Sequence, residues 1–324
     1  MTLVEVLAHL RSSPAAPRLL ATALAALIVM ALLPIYATAW RIPAVGLFHD
    51  DGVYVVTAKA LAEGKGYRII SLPGTPRQTK YPPLFPALLA AVWKVAPDFP
   101  ANHGALKAVP LAAAVGWLVL TAVLLRRLGM PDVVRPIAVV AIAALPYVVY
   151  LSTALMAEMP FALLCTAALL CVEHDDEAQF SRRLVFAAVL GAAATMTRTS
   201  GLALLVAVPL WLVVVRRDVT GASLFSAVAI LLLLPWLAWL MGSPDAGYYG
   251  VSNYRDWNVL SPTAHIGLAT RLKVMALNAI WVAGTPAWAL ELPIGPISIA
   301  LTVAALVVGS IRPAVYTRVS AWFV

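Results

Sequence analysis

Long uninterrupted runs of apolar residues constrain this chain more than any other feature of its sequence. The runs are about 20 residues long, the length at which an α-helix crosses the hydrocarbon core of a membrane. Hydrophobic residues make up 62% of the 324 residues, and the mean hydropathy is +0.89, which lies outside the range of soluble domains. The short alternating segments of a membrane β-barrel are lacking. The sequence therefore predicts an all-α polytopic membrane protein.

The apolar runs predict about eight to ten membrane segments along the chain. No small-residue cleavage site follows the first run, so we expect it to be a retained helix rather than a signal peptide. Two shorter apolar segments, 83–97 and 273–290, are expected to cross, re-enter or lie on the membrane surface. The predicted spans are 18–40, 104–125, 132–151, 157–173, 182–199, 200–215, 222–241 and 295–311.

The basic residues predict the topology rather than a nucleic-acid partner. The formal net charge is +8, but the bases are spread over the ends of the predicted helices instead of forming one patch. A single arrangement places these helix ends in the cytoplasm by the positive-inside rule. The segments 41–103 and 242–271 are then outer loops. The bases in question are Arg11, Arg18, Arg126, Arg127, Arg182, Arg183, Arg216, Arg217, Arg312 and Arg318.

The chain is predicted to form one transmembrane domain over residues 1–324, without internal repeats. The first outer loop is expected to hold two helices that lie along the membrane surface, 51–63 and 83–97. The glycines of "EGKG" stop the first of them, and the prolines at 82 and 83 suit the start of the second. The long outer loops and short inner connections place the working surface on the outer face.

Two adjacent aspartates, Asp50 and Asp51, follow directly on the first predicted span. Neighbouring carboxylates are suited to proton abstraction, so we predict a catalytic role with Asp50 as a general base. The competing interpretation is that Asp50 caps the helix that follows, which would stabilise that helix by about 1 kcal/mol. A cap explains one aspartate better than it explains two.

Three further charged residues interrupt apolar sequence. Glu158 lies within or just below the head of a predicted span, where an ionised carboxylate costs at least ~2.5 kcal/mol at mid-membrane and is usually functional. Arg198 is predicted at the same level, where its guanidinium suits a phosphate or carboxylate, although it also fits a simple anchor between two helices. Lys80 is predicted at the height of the lipid headgroups, where it either binds an anion or only extends its ammonium group into water.

Aromatic residues in the outer loops suit sugar faces, although membrane-interface belts use the same residue types. His49 beside Asp50 indicates at most a divalent cation held by two residues. A metal is therefore possible but not required by the sequence. The candidate contacts to sugar or acceptor are Tyr54, Tyr81, Tyr249, Tyr254 and Trp257.

The order of these motifs resembles the GT-C membrane glycosyltransferases, most closely the protein O-mannosyltransferase and lipid A aminoarabinose transferase branch. The resemblance covers residues 18 to about 215. It rests on Asp-Asp-x-x-Tyr after the first span, followed by "KYPPLFP", "AEMPF" and "TRTSG" in that order. It implies a GT-C-like helical bundle with juxtamembrane helices on its outer face.

The resemblance also implies an activity. Such enzymes transfer a sugar from a polyprenyl-phosphate donor to a lipid, glycan or protein acceptor at the extracytoplasmic face, here of the plasma (cell inner) membrane. Asp50, Asp51 and Glu158 would then be catalytic, while Lys80 and Arg198 would bind the donor phosphate. No nucleotide is needed, which agrees with the lack of a glycine-rich phosphate loop.

A membrane transporter or lipid flippase is the alternative function. Transporters usually hold their ionisable residues near the bilayer midplane on broken helices and in repeated halves, whereas the candidates here are predicted at one face. Members of the family are usually longer than this chain, so the C-terminal part of their architecture is expected to be missing.

Overall fold

The computed structural model describes residues 16–43, 45–173 and 180–243, together with six single positions between 267 and 276. In these ranges the chain is helical and has no β-strand apart from one isolated bridge between Arg68 and Arg77. The helices are α1 Ala16–Arg41, α2 His49–Ala62, α3 Leu84–Val95, α4 His103–Arg127, α5 Val134–Ala143, α6 Pro146–Thr153, α7 Glu158–Val172, α8 Phe180–Thr197, α9 Leu202–Trp211 and α10 Val219–Met241.

Four stretches of helix are long and apolar enough to cross a membrane. They are Thr22–Arg41, His103–Arg127, Thr199–Arg216 and Val219–Met241. The pair α5 and α6 makes a fifth if it is one broken span. The described chain is therefore a helical, membrane-embedded protein with fewer full-length spans than predicted. The predicted span 295–311 and nearly all of the shorter apolar segment 273–290 lie outside the described residues.

The predicted span 132–151 is two helices instead of one. α5 and α6 meet at a bend of 63°, and Pro146 is the first residue of α6. Proline has no N–H for the preceding turn and forces the residue before it out of the helical region. Leu145 accordingly has extended backbone angles (φ −60°, ψ 129°). The apolar pattern predicted the segment, and the proline determines where it breaks.

The two helices predicted in the first outer loop are confirmed as helices. α2 ends where Gly64 and Gly66 take left-handed backbone angles, as "EGKG" predicted. α3 follows Pro83, and its residues Phe85, Leu89 and Trp93 are buried at a spacing of four. That spacing places one apolar face of α3 against α2 and the neighbouring helices.

The described helices pack around two hydrophobic cores. The first joins α2, α3 and α4 to the segment around α6 and the start of α7. The second joins α7, α8, α9 and α10. Small residues on α8 allow close packing there, since a Cβ on Gly191 would lie 2.9 Å from Leu205 Cδ2.

Contacts between helix ends define the two ends of the bundle. Lys107, near the start of α4, contacts the end of α1 at Trp40. Arg198, after α8, is paired with Glu158 at the start of α7. These positions lie at what we call the site end. At the opposite, basic end, Arg127 Nη1 donates to the carbonyl of Leu170 at 2.6 Å.

Candidate functional site

The carboxylate of Asp50 is held by a tyrosine from the far end of the first loop. Asp50 lies in the first turn of α2 and is half-buried. The hydroxyl of Tyr81 donates a hydrogen bond to Asp50 Oδ1. The ring of Tyr81 is buried and packs 4.9 Å, centroid to centroid, from that of Tyr54. One oxygen of Asp50 is therefore fixed by a rigid aromatic donor while the residue keeps access to solvent.

Asp51 has a different environment from its neighbour. It is 1% exposed, and its Oδ2 accepts backbone N–H groups of Leu47 (3.1 Å) and Phe48 (3.4 Å). Its Oδ1 accepts the N–H of Gly52 at 2.6 Å. These bonds satisfy donors at the start of α2 that have no partner within the helix. The capping function that the sequence offered for Asp50 thus belongs to Asp51.

A cavity of about 640 Å³ opens beside the Asp50–Tyr81 pair. His49, Gly52, Lys80 and Tyr81 line it, and the remaining wall is mostly apolar with Ser71 and Gln78. Lys80 Nζ lies 4.8 Å from the centroid of the Tyr81 ring. A cation, an imidazole and a tyrosine bonded to a carboxylate therefore meet at one opening.

Glu158 and Arg198 form an ion pair, although they are 40 positions apart in the chain. Glu158 is the first residue of α7, where the helix dipole favours a carboxylate. Its second oxygen, Oε2, is buried and has no hydrogen-bond partner among the described residues. Arg198 lies on extended backbone (φ −145°, ψ 137°) between α8 and a short 3₁₀ turn. The side chain of Glu158 is 25% exposed and that of Arg198 is 32% exposed.

Tyr150 of α6 connects the two acidic groups. Its ring lies 5.4 Å from that of Phe48, centroid to centroid. The charges of both Asp51 and Glu158 act on its hydroxyl. The charges of Glu158 and Arg198 also act on the hydroxyl of Tyr147, one turn earlier. The structure therefore places the start of α2 and the start of α7 at the site end, but neither Glu158 nor Arg198 lines the cavity beside Tyr81.

The rest of the first loop is fastened to the end of α10. Arg77 Nη1 donates to the carbonyl of Gly242 at 2.9 Å, and its guanidinium lies 4.7 Å above the Trp239 ring. Trp239 Nε1 donates to the carbonyl of Gln78 at 2.9 Å. The loop that carries Lys80 and Tyr81 is thus held by a helix more than 130 residues away. These contacts explain how an irregular loop positions the cavity wall.

Tyr67 stabilises the turn that leads into the cavity wall. Its hydroxyl donates to the carbonyls of Tyr81 (2.9 Å) and Pro82 (3.2 Å). Burial raises the pKa of Tyr67 well above its ordinary value, and the nearby Tyr54 adds a smaller effect in the same direction. The phenol therefore remains a donor at neutral pH and fixes the backbone next to the Asp50 partner.

The other predicted site residues fall into two groups. Tyr54 is 2% exposed and packs on Phe85 at 5.0 Å between centroids, so it supports the wall from behind. His49 is exposed at the cavity. No group of three or more His, Cys, Asp or Glu side chains in the described part of the chain is arranged to hold a metal. The predicted contacts Tyr249, Tyr254 and Trp257 lie outside the described residues.

Sequence reasoning overlooked two residues at this end. Tyr150 carries no charge, and only its position in the turn after Pro146 distinguishes it. Lys107 is fully buried and donates to the carbonyls of Trp40 (2.7 Å) and Ile42 (3.0 Å), which end α1. A lysine one turn inside a predicted span was a visible signal, because a charge in that place needs partners.

These contacts assign Lys107 a positioning role. It satisfies carbonyls that the last turn of α1 leaves without a helical partner, and so fixes where the segment to Asp50 begins.

A comparison of this chain with protein-family models, curated proteins and solved structures finds no match in any of the three.

Proposed function

We propose that this protein is a membrane glycosyltransferase that moves a sugar from a polyprenyl-phosphate donor to an acceptor hydroxyl, with Asp50 as the base. The observation that carries the proposal is the hydrogen bond from Tyr81 to Asp50, because Tyr81 lines a cavity that Lys80 also lines. A fixed carboxylate beside a cation is what deprotonation of an acceptor and departure of a phosphate require together.

The proposed reaction is a single displacement. An acceptor hydroxyl oxygen forms a bond to the anomeric carbon, and its proton passes to Asp50. The bond from that carbon to the phosphate oxygen breaks, and the electron pair leaves with the polyprenyl phosphate. Tyr81 orients the receiving carboxylate through the hydrogen bond to Oδ1. General-base catalysis of this kind contributes about 10²–10⁴-fold to a rate.

The leaving phosphate needs a fixed positive charge. Lys80 is the first candidate because it lines the cavity next to Tyr81. Arg198 is the second, and its pairing with Glu158 holds it in place before a substrate arrives. Glu158 then acts through Arg198 by orienting the guanidinium. Asp51 acts on the reaction by fixing the backbone from which Asp50 projects.

We further propose that the site end faces the extracytoplasmic side of the plasma (cell inner) membrane. Arg127 is near the end of α7, and Arg216 packs against Phe180 at the start of α8, 4.8 Å from its ring centroid. The basic helix ends that these contacts place in the described part of the chain are therefore at the end opposite to Asp50, which supports this orientation by the positive-inside rule.

The alternative of a transporter or flippase is supported by one observation. The broken pair α5 and α6, bent by 63°, is the kind of interrupted helix that transporters use. The ionisable candidates, however, lie at the start or end of helices rather than at the break. Glu158 opens α7 and Arg198 follows α8, so we prefer the enzyme.

Replacement of Asp50 by asparagine tests the proposal. The side chain keeps its size and can still accept the Tyr81 hydroxyl, but it cannot take up a proton. We expect release of polyprenyl phosphate, measured with a panel of undecaprenyl-phosphate hexoses and pentoses in reconstituted vesicles, to fall by about 10²-fold or more. Tyr81→Phe should lower it less, because the carboxylate remains.

The matched control is Asp98→Asn, which removes an exposed carboxylate from the same loop. Its activity should equal that of the unmodified protein. Full activity in a folded Asp50→Asn protein would refute the base assignment. Absence of sugar transfer by the unmodified protein with every donor, together with acceptor-independent lipid movement, would favour the transporter.

A further inference from the structure

A second polar cavity lies at the basic end, away from the candidate site. It has a volume of about 730 Å³ and is lined by α1, by the end of α4 and by the start of α5. Its polar wall contains Thr22, Arg126, Asp132 and Arg135. Arg126 follows Lys107 by 19 positions on α4, which is about 28 Å at 1.5 Å per residue. The cavity is therefore at the other end of the bundle from Asp50.

The guanidinium of Arg135 is only partly used within the protein. Its Nη2 is paired with Asp132 Oδ1 at 2.8 Å. Its Nη1 is buried and has no hydrogen-bond partner among the described residues. A buried donor of this kind is costly to leave without a hydrogen-bond partner. The geometry thus leaves one strong donor available for an acceptor inside the cavity.

The charge of the cavity matches a singly charged anion. Arg126 and Arg135 contribute two positive charges and Asp132 one negative charge, which leaves +1 in this wall. A phosphodiester carries one negative charge and offers oxygens to an arginine fork. Basic pockets between membrane helices at headgroup level bind anionic lipids in this way.

An apolar groove continues from this polar cavity between the same helices. The two spaces share Ala122 and Val139. The groove extends along α4 as far as Leu111, 11 positions from Ala122 or about 16 Å at 1.5 Å per residue. That length is about half of the ~30 Å hydrocarbon core. A charged end joined to an apolar groove between the same helices matches an amphipathic ligand rather than free phosphate.

We propose that this cavity binds an anionic membrane phospholipid, with its phosphodiester on Arg126 and Arg135 and one acyl chain in the groove. The site is separate from Asp50 and does not depend on the proposed reaction. The lipid phosphate supplies the acceptor for Arg135 Nη1, while Asp132 holds the other side of the same guanidinium.

The proposal is tested by native mass spectrometry of the full chain in detergent. The probes are phosphatidylglycerol, which is anionic, phosphatidylcholine, which is not, and inorganic phosphate. We expect the unmodified protein to retain phosphatidylglycerol in preference to phosphatidylcholine. The double variant Arg126→Gln/Arg135→Gln should bind phosphatidylglycerol about 30-fold more weakly. Each arginine near a membrane surface contributes a factor of about 5 to the affinity for an anionic lipid.

The control variant Arg182→Gln/Arg217→Gln removes the same charge from exposed positions at the same end. It should retain phosphatidylglycerol as the unmodified protein does. Equal weakening in both double variants would overturn the site, because it would show a general charge effect. Equal retention of the two lipids by the unmodified protein would overturn it without any variant, and so would full displacement of phosphatidylglycerol by inorganic phosphate.

Discussion

Replacing Asp51 with alanine should destabilise the protein by about 2 kcal/mol, the upper end of the range for loss of a helix cap. The carboxylate accepts three backbone N–H groups and is 1% exposed, so alanine removes all of them together. The magnitude stays at this level because Leu47 and Phe48 are themselves exposed. Their freed N–H groups can reach water, which limits the penalty for unsatisfied donors.

Asparagine separates the two aspartates. At position 51 it keeps one acceptor oxygen and loses the charge that favours a helix N-terminus, so we expect a loss of about 1 kcal/mol. At position 50 it can still accept the Tyr81 hydroxyl, and we expect less than about 0.5 kcal/mol, as for other substitutions outside the packed core. Stability should therefore follow Asp51 and activity should follow Asp50.

The measurement is the free energy of unfolding in mixed micelles titrated with SDS, followed by helical circular dichroism. The unmodified protein and Asp98→Asn are the references, since Asp98 is exposed and lies outside the cap. If Asp50→Asn destabilised the protein as much as Asp51→Asn, the assignment of the cap to Asp51 would be wrong. An Asp51→Ala protein as stable as the reference would show that these hydrogen bonds contribute nothing measurable.

Two further predictions concern the framework. Gly201→Ala should destabilise the protein by about 1–3 kcal/mol, because the new Cβ would lie 2.5 Å from the backbone nitrogen of Thr195. Gly104→Ala is the control, since a Cβ there has no neighbour nearer than 3.9 Å. Equal free energies of unfolding for the two variants would contradict the clash. Folding raises the pKa of Tyr67, so with rising pH its phenol ionises in the unfolded chain before it ionises in the folded protein. The stability that neutral Tyr67 contributes is therefore fully present below about pH 10 and is lost as the pH rises above about 10. Unfolding measured from pH 8 to 11 should therefore be less pH-dependent in Tyr67→Phe, and an unchanged slope would show that Tyr67 ionises equally in both states.

The helices of the first loop could be predicted because each has local signals. Glycines end α2, prolines precede α3, and the apolar spacing of α3 identifies its buried face. The division of labour between Asp50 and Asp51 could not be predicted in the same way. It depends on the backbone N–H groups of Leu47 and Phe48 lying within hydrogen-bond distance of Asp51, and on Tyr81, near the end of the loop, contacting Asp50.

Long-range contacts account for the rest of the difference. The pairing of Glu158 with Arg198 required the ends of two helices to meet, and sequence predicted only that both lie at the same level. The anchoring of Arg77 on Trp239 joins segments with no shared pattern. Pro146 was visible in the sequence, but apolar periodicity does not tell a straight span from a span bent by 63°.

The contact between Lys107 and the end of α1 has a consequence for biosynthesis. A lysine raises the free energy of inserting an apolar helix into a membrane, so α4 enters the bilayer more readily when acceptors for its ammonium are already there. The carbonyls of Trp40 and Ile42 belong to a segment that is translated more than 60 residues earlier. The order of synthesis therefore places the acceptors of Lys107 before the helix that carries their donor.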